Sequence, residues 1–382
     1  MKNIRIAFTG GGTGGHINPL LAVAEETKKV FSSLPDVNLK MCYFGNPGAF
    51  SSEFGKLEIE IVPVINVKFR RYFSLENVLD ILKTPFALIV AFWKVFWKMP
   101  DILFSKGGPG ALPVVLAAYF FRVPIFIHES DSIPGMTNSI SAGFAKRIAV
   151  SFTKALEFFD EKKTALVGNP IRPFLLEKEG DLDQTKAKKV MGFDPNLPLI
   201  LVLGGSQGAV RINDFMLDNA KEFVSRYQVL HQTGTANFDA FKTELAVATK
   251  NFIAEERNRY KIIDFFRGDL KETLIASNLI ISRAGSNSIF EIAYFKKPSI
   301  LIPLKEAARN HQYYNAYEYA KRGGCLVIEE DNLKPSIFFS QLNTILSDKN
   351  KYQSMIEKIG DFAKPQAAAI IAKEIARMVV GS

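Results

Sequence analysis

The chain has 382 residues, 47% of them hydrophobic and 23% charged, with a net charge of +9 and a pI of about 9.3. This length exceeds what one hydrophobic core usually fills, so two domains are expected, and the composition excludes a disordered or fibrous chain. The basic balance points to an anionic partner, whether nucleotide phosphate, lipid headgroup or nucleic acid. No run of 18 apolar residues occurs, so no transmembrane helix is expected. No leading segment resembles a signal peptide. Cys42 and Cys325 read as buried, reduced thiols of a cytosolic protein.

The first predicted strand, residues 4–8, runs into Gly10-Gly11-Gly12-Thr13-Gly14-Gly15-His16, and a helix is predicted over 20–31. A strand, a glycine turn and a helix start make an anion site. The backbone N–H groups are open to a phosphate and the helix dipole favours its charge. Gly10, Gly12 and Gly15 satisfy the dinucleotide-binding spacing. The next strand, 39–44, however, ends in Gly45-Asn46 and not in the acidic residue that a ribose needs there. Strands follow at 59–64, 102–104, 125–128 and 147–150. Helices are predicted at 75–82, 85–97, 112–120 and 136–144, with Pro85 in the first turn of its helix. A proline- and glycine-rich crossing follows at 167–173.

The second half repeats the opening. A strand at 199–203 meets Gly204-Gly205-Ser206-Gln207-Gly208, and a helix follows from Asn213. Further strands are predicted at 227–231, 260–265, 279–282, 299–303 and 325–328, and an amphipathic helix at 363–380. Strands alternating with helices mean parallel sheets covered on both faces, with ligands beyond the carboxyl ends of the strands.

Three segments carry candidate chemistry. Ser282-Arg283-Ala284-Gly285-Ser286-Asn287-Ser288 opens a helix that holds Glu291. That carboxylate either accepts two hydrogen bonds from a ribose diol or simply favours the helix start. His311 and Gln312 follow a strand and either suit sugar hydroxyls or begin a solvated helix. Asp181-Leu182-Asp183 has the pattern of a metal-binding pair but lies in a polar run, and reads as solvated linker.

Residues 68–98 hold six basic side chains (Lys68, Arg70, Arg71, Lys83, Lys94, Lys98) against Glu76 and Asp80. They are interleaved with Phe92, Trp93 and Trp97. The apolar run is roughly 20 Å long as a helix, too short to span a bilayer. It either lies in the membrane interface or packs on the sheet, with both possible on opposite faces.

Taken together, residues 10–16, His128-Glu129 with 133–138, 168–172, 204–208, 283–291 and 311–316 resemble glycosyltransferase family 28. Its members add N-acetylglucosamine to a lipid-linked muramyl-pentapeptide. The motifs occur in the family's order across nearly the whole chain. The resemblance implies an α/β GT-B fold, two Rossmann-like doubly wound domains facing a cleft. The acceptor domain is expected over 1–166, completed by 360–382, and the donor domain over 167–359. It implies an inverting transfer from UDP-N-acetylglucosamine to the C4 hydroxyl of lipid I, undecaprenyl-pyrophosphoryl-MurNAc-pentapeptide.

By position, it assigns UDP-N-acetylglucosamine to Thr13, Gly14, Gly15, Asn138, Arg172, Ser206, Gln207, Gly208, Phe266, Arg267, Asn287, Ser288, Glu291, His311 and Gln312. The acceptor and its pyrophosphate fall to Gly12, Gly107, Gly108, His128 and Asp131. His16 is the candidate base and Glu129 the reserve. An anionic membrane surface is expected to meet Arg70, Arg71, Phe92, Trp93, Lys94, Trp97 and Lys98, at the cytoplasmic face of the plasma membrane. No metal or other cofactor is expected. Three sites depart from the pattern: Ser130-Asp131 stands where Gln-Asn is usual, Pro109 stands where an aromatic is common, and His311 stands where some members have Gln. The alternatives are another GT-B transferase with a UDP-sugar and a different acceptor, and a basic nucleic-acid-binding protein.

Overall fold

The structure, a computed structural model, describes residues 2–66, 75–177, 180–205 and 208–381, without the side chains of residues 75–82. Ser206, Gln207, Lys68, Arg70 and Arg71 therefore lie outside the described residues. Packing divides the chain into two compact units, Met1–Leu176 with Lys364–Ser382, and Glu177–Ala363. The crossings thus fall later than the expected 166/167 and 359/360. Val167 joins the first unit's core, and Ile171 and Leu175 are buried after it.

Among the described residues the first unit has one parallel sheet of seven strands. They are β1 (Lys2–Thr9), β2 (Val37–Phe44), β3 (Ile59–Val62), β4 (Ile102–Ser105), β5 (Ile125–Glu129), β6 (Arg147–Val150) and β7 (Thr164–Leu166). The order is β3-β2-β1-β4-β5-β6-β7, so the winding reverses between β1 and β4. The period-two pattern of β1 explains its central place. Ile4, Ile6 and Phe8 enter one core with the helix Gly14–Ser32 and the terminal helix Ala367–Val380. Ala7 enters the opposite core with Ala91, Val95 and Val114.

The second unit repeats this with β8 (Leu199–Leu203), β9 (Gln228–Gln232), β10 (Tyr260–Ile263), β11 (Leu279–Ser282), β12 (Ser299–Leu301) and β13 (Cys325–Val327). The order is β10-β9-β8-β11-β12-β13, all parallel, with its reversal between β8 and β11. One core gathers Ile200, Val202, Phe215, Phe223, Ile281, Ile300 and Phe338.

Two expectations are corrected. The helices predicted at 75–82 and 85–97 are one, Leu75–Lys98, and Pro85 lies in its interior, not its first turn. Ala87, Ala91 and Val95, spaced four apart, bury against the sheet and hold the helix across the missing N–H. Asp183 caps the helix Gln184–Val190 by accepting from the Lys186 N–H at 2.8 Å. Such caps contribute about 1 kcal/mol.

Candidate active site

Each unit opens its glycine turn at its own topological switch point, where open α/β sheets bind ligands. In the first unit the turn is fixed from both ends. Thr9 Oγ1 donates to the Phe44 carbonyl at 2.8 Å, and the Tyr43 hydroxyl donates to the Gly10 carbonyl at 2.9 Å. The backbone N–H groups of His16 and Ile17 both reach the Thr13 carbonyl, at 2.9 and 3.0 Å. This starts the helix and leaves Gly12, Thr13, Gly14 and Gly15 at its head. The half-buried His16 imidazole places Nδ1 3.2 Å from Thr13 Oγ1.

The turn after β4, Lys106-Gly107-Gly108, closes the other side. Gly108 has φ +86°, and a Cβ there would stand 2.9 Å from the Gly11 backbone and 3.1 Å from His16 Nε2. Only glycine allows this approach. Beside it, Glu129 is 4% exposed and its carboxylate accepts from three donors. These are the Asp131 N–H at 2.9 Å, the Gly135 N–H at 3.1 Å and Asn138 Nδ2 at 2.9 Å. Burial raises the Glu129 pKa, the nearby Asp131 charge adds to that, and these hydrogen bonds oppose it. Asn138 also donates to the His128 carbonyl at 3.1 Å, so its amide faces inward to the loop it belongs to. His128 is fully buried, and desolvation holds it well below the ordinary histidine range.

The second unit presents its groups from four strand ends. After β8, Gly208 has φ +80°, and a Cβ there would strike Asn237 and the Thr233 carbonyl. The helix Val210–Asp218 begins just beyond, tied beneath by Asn213. Asn213 donates to the Thr233 carbonyl at 3.0 Å, and His231 Nε2 lies 3.1 Å from its Oδ1. After β11, the helix Ser286–Tyr294 carries Asn287 and Ser288 in its first turn and Glu291 beyond, 7% exposed. After β12, Gln312 Oε1 accepts from the Leu304 N–H at 3.0 Å. Arg309 and Asn310 adopt left-handed φ of 57° and 55° just before His311. Such conformations cost about 1–3 kcal/mol each and gather at functional sites. Asn315 binds the Ala284 carbonyl at 3.3 Å and joins the β11 and β12 loops. After β10, Phe266 is buried and Arg267 is exposed, paired with Asp264 at 2.6 Å.

The geometry thus brings Gly208, Asn287, Ser288, Glu291, His311, Gln312, Phe266 and Arg267 to the carboxyl ends of one sheet. His16, Gly107, Gly108, His128 and Asp131 come to those of the other. Arg172 packs with the first unit, its guanidinium 5.4 Å from the Phe174 ring centroid. Among the described residues no cluster of three or more His, Cys, Asp or Glu side chains could hold a metal ion.

The two halves match the N-terminal domain of glycosyltransferase family 28 over residues 6–150 and its C-terminal domain over residues 199–373. The chain belongs to family 28. A Clostridium tetani relative is 34% identical over 350 residues, 91% of each chain, and a Clostridium botulinum relative is 34% identical over 93% of this chain and 94% of its own. Both are named UDP-N-acetylglucosamine–N-acetylmuramyl-(pentapeptide) pyrophosphoryl-undecaprenol N-acetylglucosamine transferase. Among solved structures, Acinetobacter baumannii MurG superposes with a TM-score of 0.71 at 22% identity, covering 98% of this chain and 99% of that one. A Neisseria meningitidis UDP-GlcNAc 2-epimerase bound to UDP-GlcNAc gives 0.64 at 12% identity over 100% of both chains. The fold is GT-B, and family 28 membership makes the chain a glycosyltransferase.

Sequence reasoning missed two groups that organise these family 28 turns. One is Lys106 with Ser130 and Asn169. The other is Glu330, which takes Arg283 at 2.5 Å and also Arg211, while Arg211 reaches Glu306 at 2.8 Å. Glu330 thereby links the loops after β8, β11, β12 and β13. No local motif signals either group, because each is assembled from distant segments.

Outside these turns, the helix Leu75–Lys98 turns aromatic side chains outward. Phe86, Ile89, Trp93, Phe96 and Trp97 are exposed, Trp93 at 56% and Trp97 at 74%, and so are Tyr119 and Phe120. Phe92 instead packs on Phe120 and Phe121, at 4.7 and 4.5 Å between ring centroids. Lys94 is exposed, and Lys98 pairs with Glu60 at 2.5 Å. No helix of the described residues is long and apolar enough to cross a membrane.

Proposed function

We propose that the chain transfers N-acetylglucosamine from UDP-N-acetylglucosamine to the C4 hydroxyl of the N-acetylmuramyl unit of a polyprenyl-pyrophosphoryl-muramyl-pentapeptide, with inversion. The carrying observation is the pair of glycine turns at the two switch points, one seating His16 and the other lying beside the helix that bears Glu291. The 34% identity over 91% of the chain to transferases of that name supports the choice of substrates.

In this reading the Nδ1–H of His16 donates to Thr13 Oγ1. Nε2 then keeps its lone pair and takes the proton of the attacking hydroxyl. The C4 oxygen attacks the anomeric carbon from the face opposite UDP, and the anomeric C–O bond to the β-phosphate breaks as the new one forms. Charge growing on UDP is met by the head of the helix Val210–Asp218 and the Arg172 guanidinium, with no metal required. Glu291 holds the ribose diol, and Gln312 and His311 read the sugar hydroxyls. The reserve base, Glu129, serves to shape the 131–138 loop through its three accepted hydrogen bonds.

The acceptor's lipid holds this reaction at a bilayer. The exposed aromatic face of the helix Leu75–Lys98, with Tyr119 and Phe120, supports peripheral binding there, with Lys94 at the anionic headgroups. The reading puts the protein on the cytoplasmic face of the plasma membrane. The test is incubation of the purified protein with radiolabelled UDP-N-acetylglucosamine and a lipid I analogue. A labelled disaccharide product is expected, and its absence at millimolar donor would overturn the reading.

A further inference from the structure

Lys106 follows β4 directly, yet its side chain turns inward and is 3% exposed. Its Nζ lies 2.6 Å from His128 Nδ1 and against Ser130 Oγ. His128 Nε2 lies 3.0 Å from the Gly168 carbonyl, which can only accept. The imidazole proton therefore sits on Nε2, and the Nδ1 lone pair receives the ammonium. Ser130 accepts from the same ammonium and donates to Asn169 Oδ1 at 3.1 Å. One cation thus fastens the end of β4, the end of β5 and the 168–169 segment together.

A buried ammonium costs several kcal/mol unless it is hydrogen-bonded and balanced. The charges that face Lys106 are Glu129 and Asp131, and the neutral His128 is the remaining titratable group against it. The departure from the family pattern now has a physical reason. Ser130 supplies a short hydroxyl acceptor and Asp131 a second negative charge, where Gln-Asn would supply no charge. Beyond Lys106, Gly107 and Gly108 continue to His16. The Gly108 carbonyl also accepts from Thr137 Oγ1 at 3.3 Å, in the loop that Glu129 holds.

We propose that Lys106 is a positioning residue for the acceptor: its ammonium sets the Gly107-Gly108 turn and the 131–138 loop in the geometry that receives a lipid-linked sugar diphosphate in front of His16. This rests on the transfer reading above. Burial lowers the Lys106 pKa to about 8, with Glu129 and Asp131 opposing, so the ammonium is lost at moderately alkaline pH.

The test is steady-state kinetics with a soluble lipid I analogue across pH 6.5 to 9.5. Wild type, Lys106→Met, Lys106→Met/Asp131→Asn and Ser130→Ala are compared. Lys106→Met is expected to raise the acceptor KM about tenfold while the donor KM stays within about twofold. The wild-type fall in acceptor kcat/KM above about pH 8 is expected to be missing in that variant. The double variant, which removes one of the two negative charges left behind, should recover part of the loss. A donor KM that rises in step with the acceptor KM, or an alkaline fall that survives in Lys106→Met, would overturn the proposal. If Lys106→Met does not fold, Ser130→Ala keeps the ammonium and reads the same effect. A roughly threefold rise in acceptor KM is then expected, and an unchanged value overturns the proposal. Wild-type protein with no turnover would sink the transfer reading and this inference with it, a result distinct from any Lys106 outcome.

Discussion

Gly108 stands so close to His16 that a methyl group on its α-carbon would come within 3.1 Å of Nε2. Gly11 lies against the same ring, and a Cβ there would fall 3.0 Å from Nδ1. The sheet order explains the meeting. The turns after β1 and β4 are neighbours only because the winding reverses between those strands.

Gly108→Ala should therefore damage activity more than stability. The φ of +86° and the 2.9 Å approach to the Gly11 backbone together imply a local cost of roughly 1–3 kcal/mol. The imidazole must also move, and a shift of about 1 Å in a reacting group can cost about a hundredfold in kcat. The check is kcat beside a denaturation midpoint, and a fully active Gly108→Ala would contradict the close packing.

His16→Gln keeps a polar side chain of similar reach but no base near neutrality. We expect kcat to fall about 100-fold or more, within the usual range of general-base contributions, with donor KM little changed. Near-normal turnover in this variant would remove His16 from the proton step and leave it a loop-shaping role through Thr13.

Glu291→Gln tests the donor half. The side chain is 7% exposed at the switch point between β8 and β11, and the amide can accept through one oxygen only. Losing one charge-assisted hydrogen bond to a ribose hydroxyl should raise the UDP Kd by about tenfold or more, measured by calorimetry. An unchanged Kd would return Glu291 to a plain helix-start role.

The parts of this design that sit in one stretch of sequence were legible there. Each glycine turn follows a short apolar strand and precedes a helix, and both proved to lie at switch points. The placing of Glu291 and Gln312 on helices after β11 and β12, and the aromatic run at 86–97, were visible for the same reason. What escaped the sequence depends on contacts between segments. Lys106 meets Ser130, and Ser130 meets Asn169, only because β4 pairs with β5 and the 168–169 segment packs beside them. β7 is three residues long and largely exposed, so it carries no periodic signal. Pro85 read as a helix start because local chemistry favours it there, whereas burial of Ala87, Ala91 and Val95 decides otherwise.

Membrane contact should follow the exposed aromatic face. Trp93→Ser with Trp97→Ser removes two large side chains that are 56% and 74% exposed and touch the core little. Flotation with vesicles containing anionic lipid should drop several-fold, while the soluble fold and turnover of a short-chain, water-soluble acceptor stay intact. Lys94→Glu should weaken flotation further at low salt, by roughly 1 kcal/mol. Binding that ignores all three substitutions would move the contact elsewhere on the molecule.

Acid sensitivity should trace to His231 in the second unit. Its ring is fully buried, with Nδ1 3.0 Å from the Tyr260 hydroxyl and Nε2 3.1 Å from Asn213 Oδ1. Desolvation lowers its pKa to about 3. The unfolded chain binds a proton near pH 6.5 that the folded chain refuses, so this contribution is complete above about 6.5 and is lost as pH falls toward 3. Each pH unit below 6.5 then costs up to about 1.4 kcal/mol from this one group. The buried His128 in the first unit adds a slope of the same sign to its own unit. His231→Gln fills similar space and keeps one donor and one acceptor. It should lower stability at pH 7.5 but flatten the fall between pH 6.5 and 5 by nearly one proton, read from urea midpoints at each pH. A slope that matches wild type would show that the ring is already solvated in the folded protein, and the Asn213–His231–Tyr260 support beneath the Gly204–Gly208 turn would have to be redrawn.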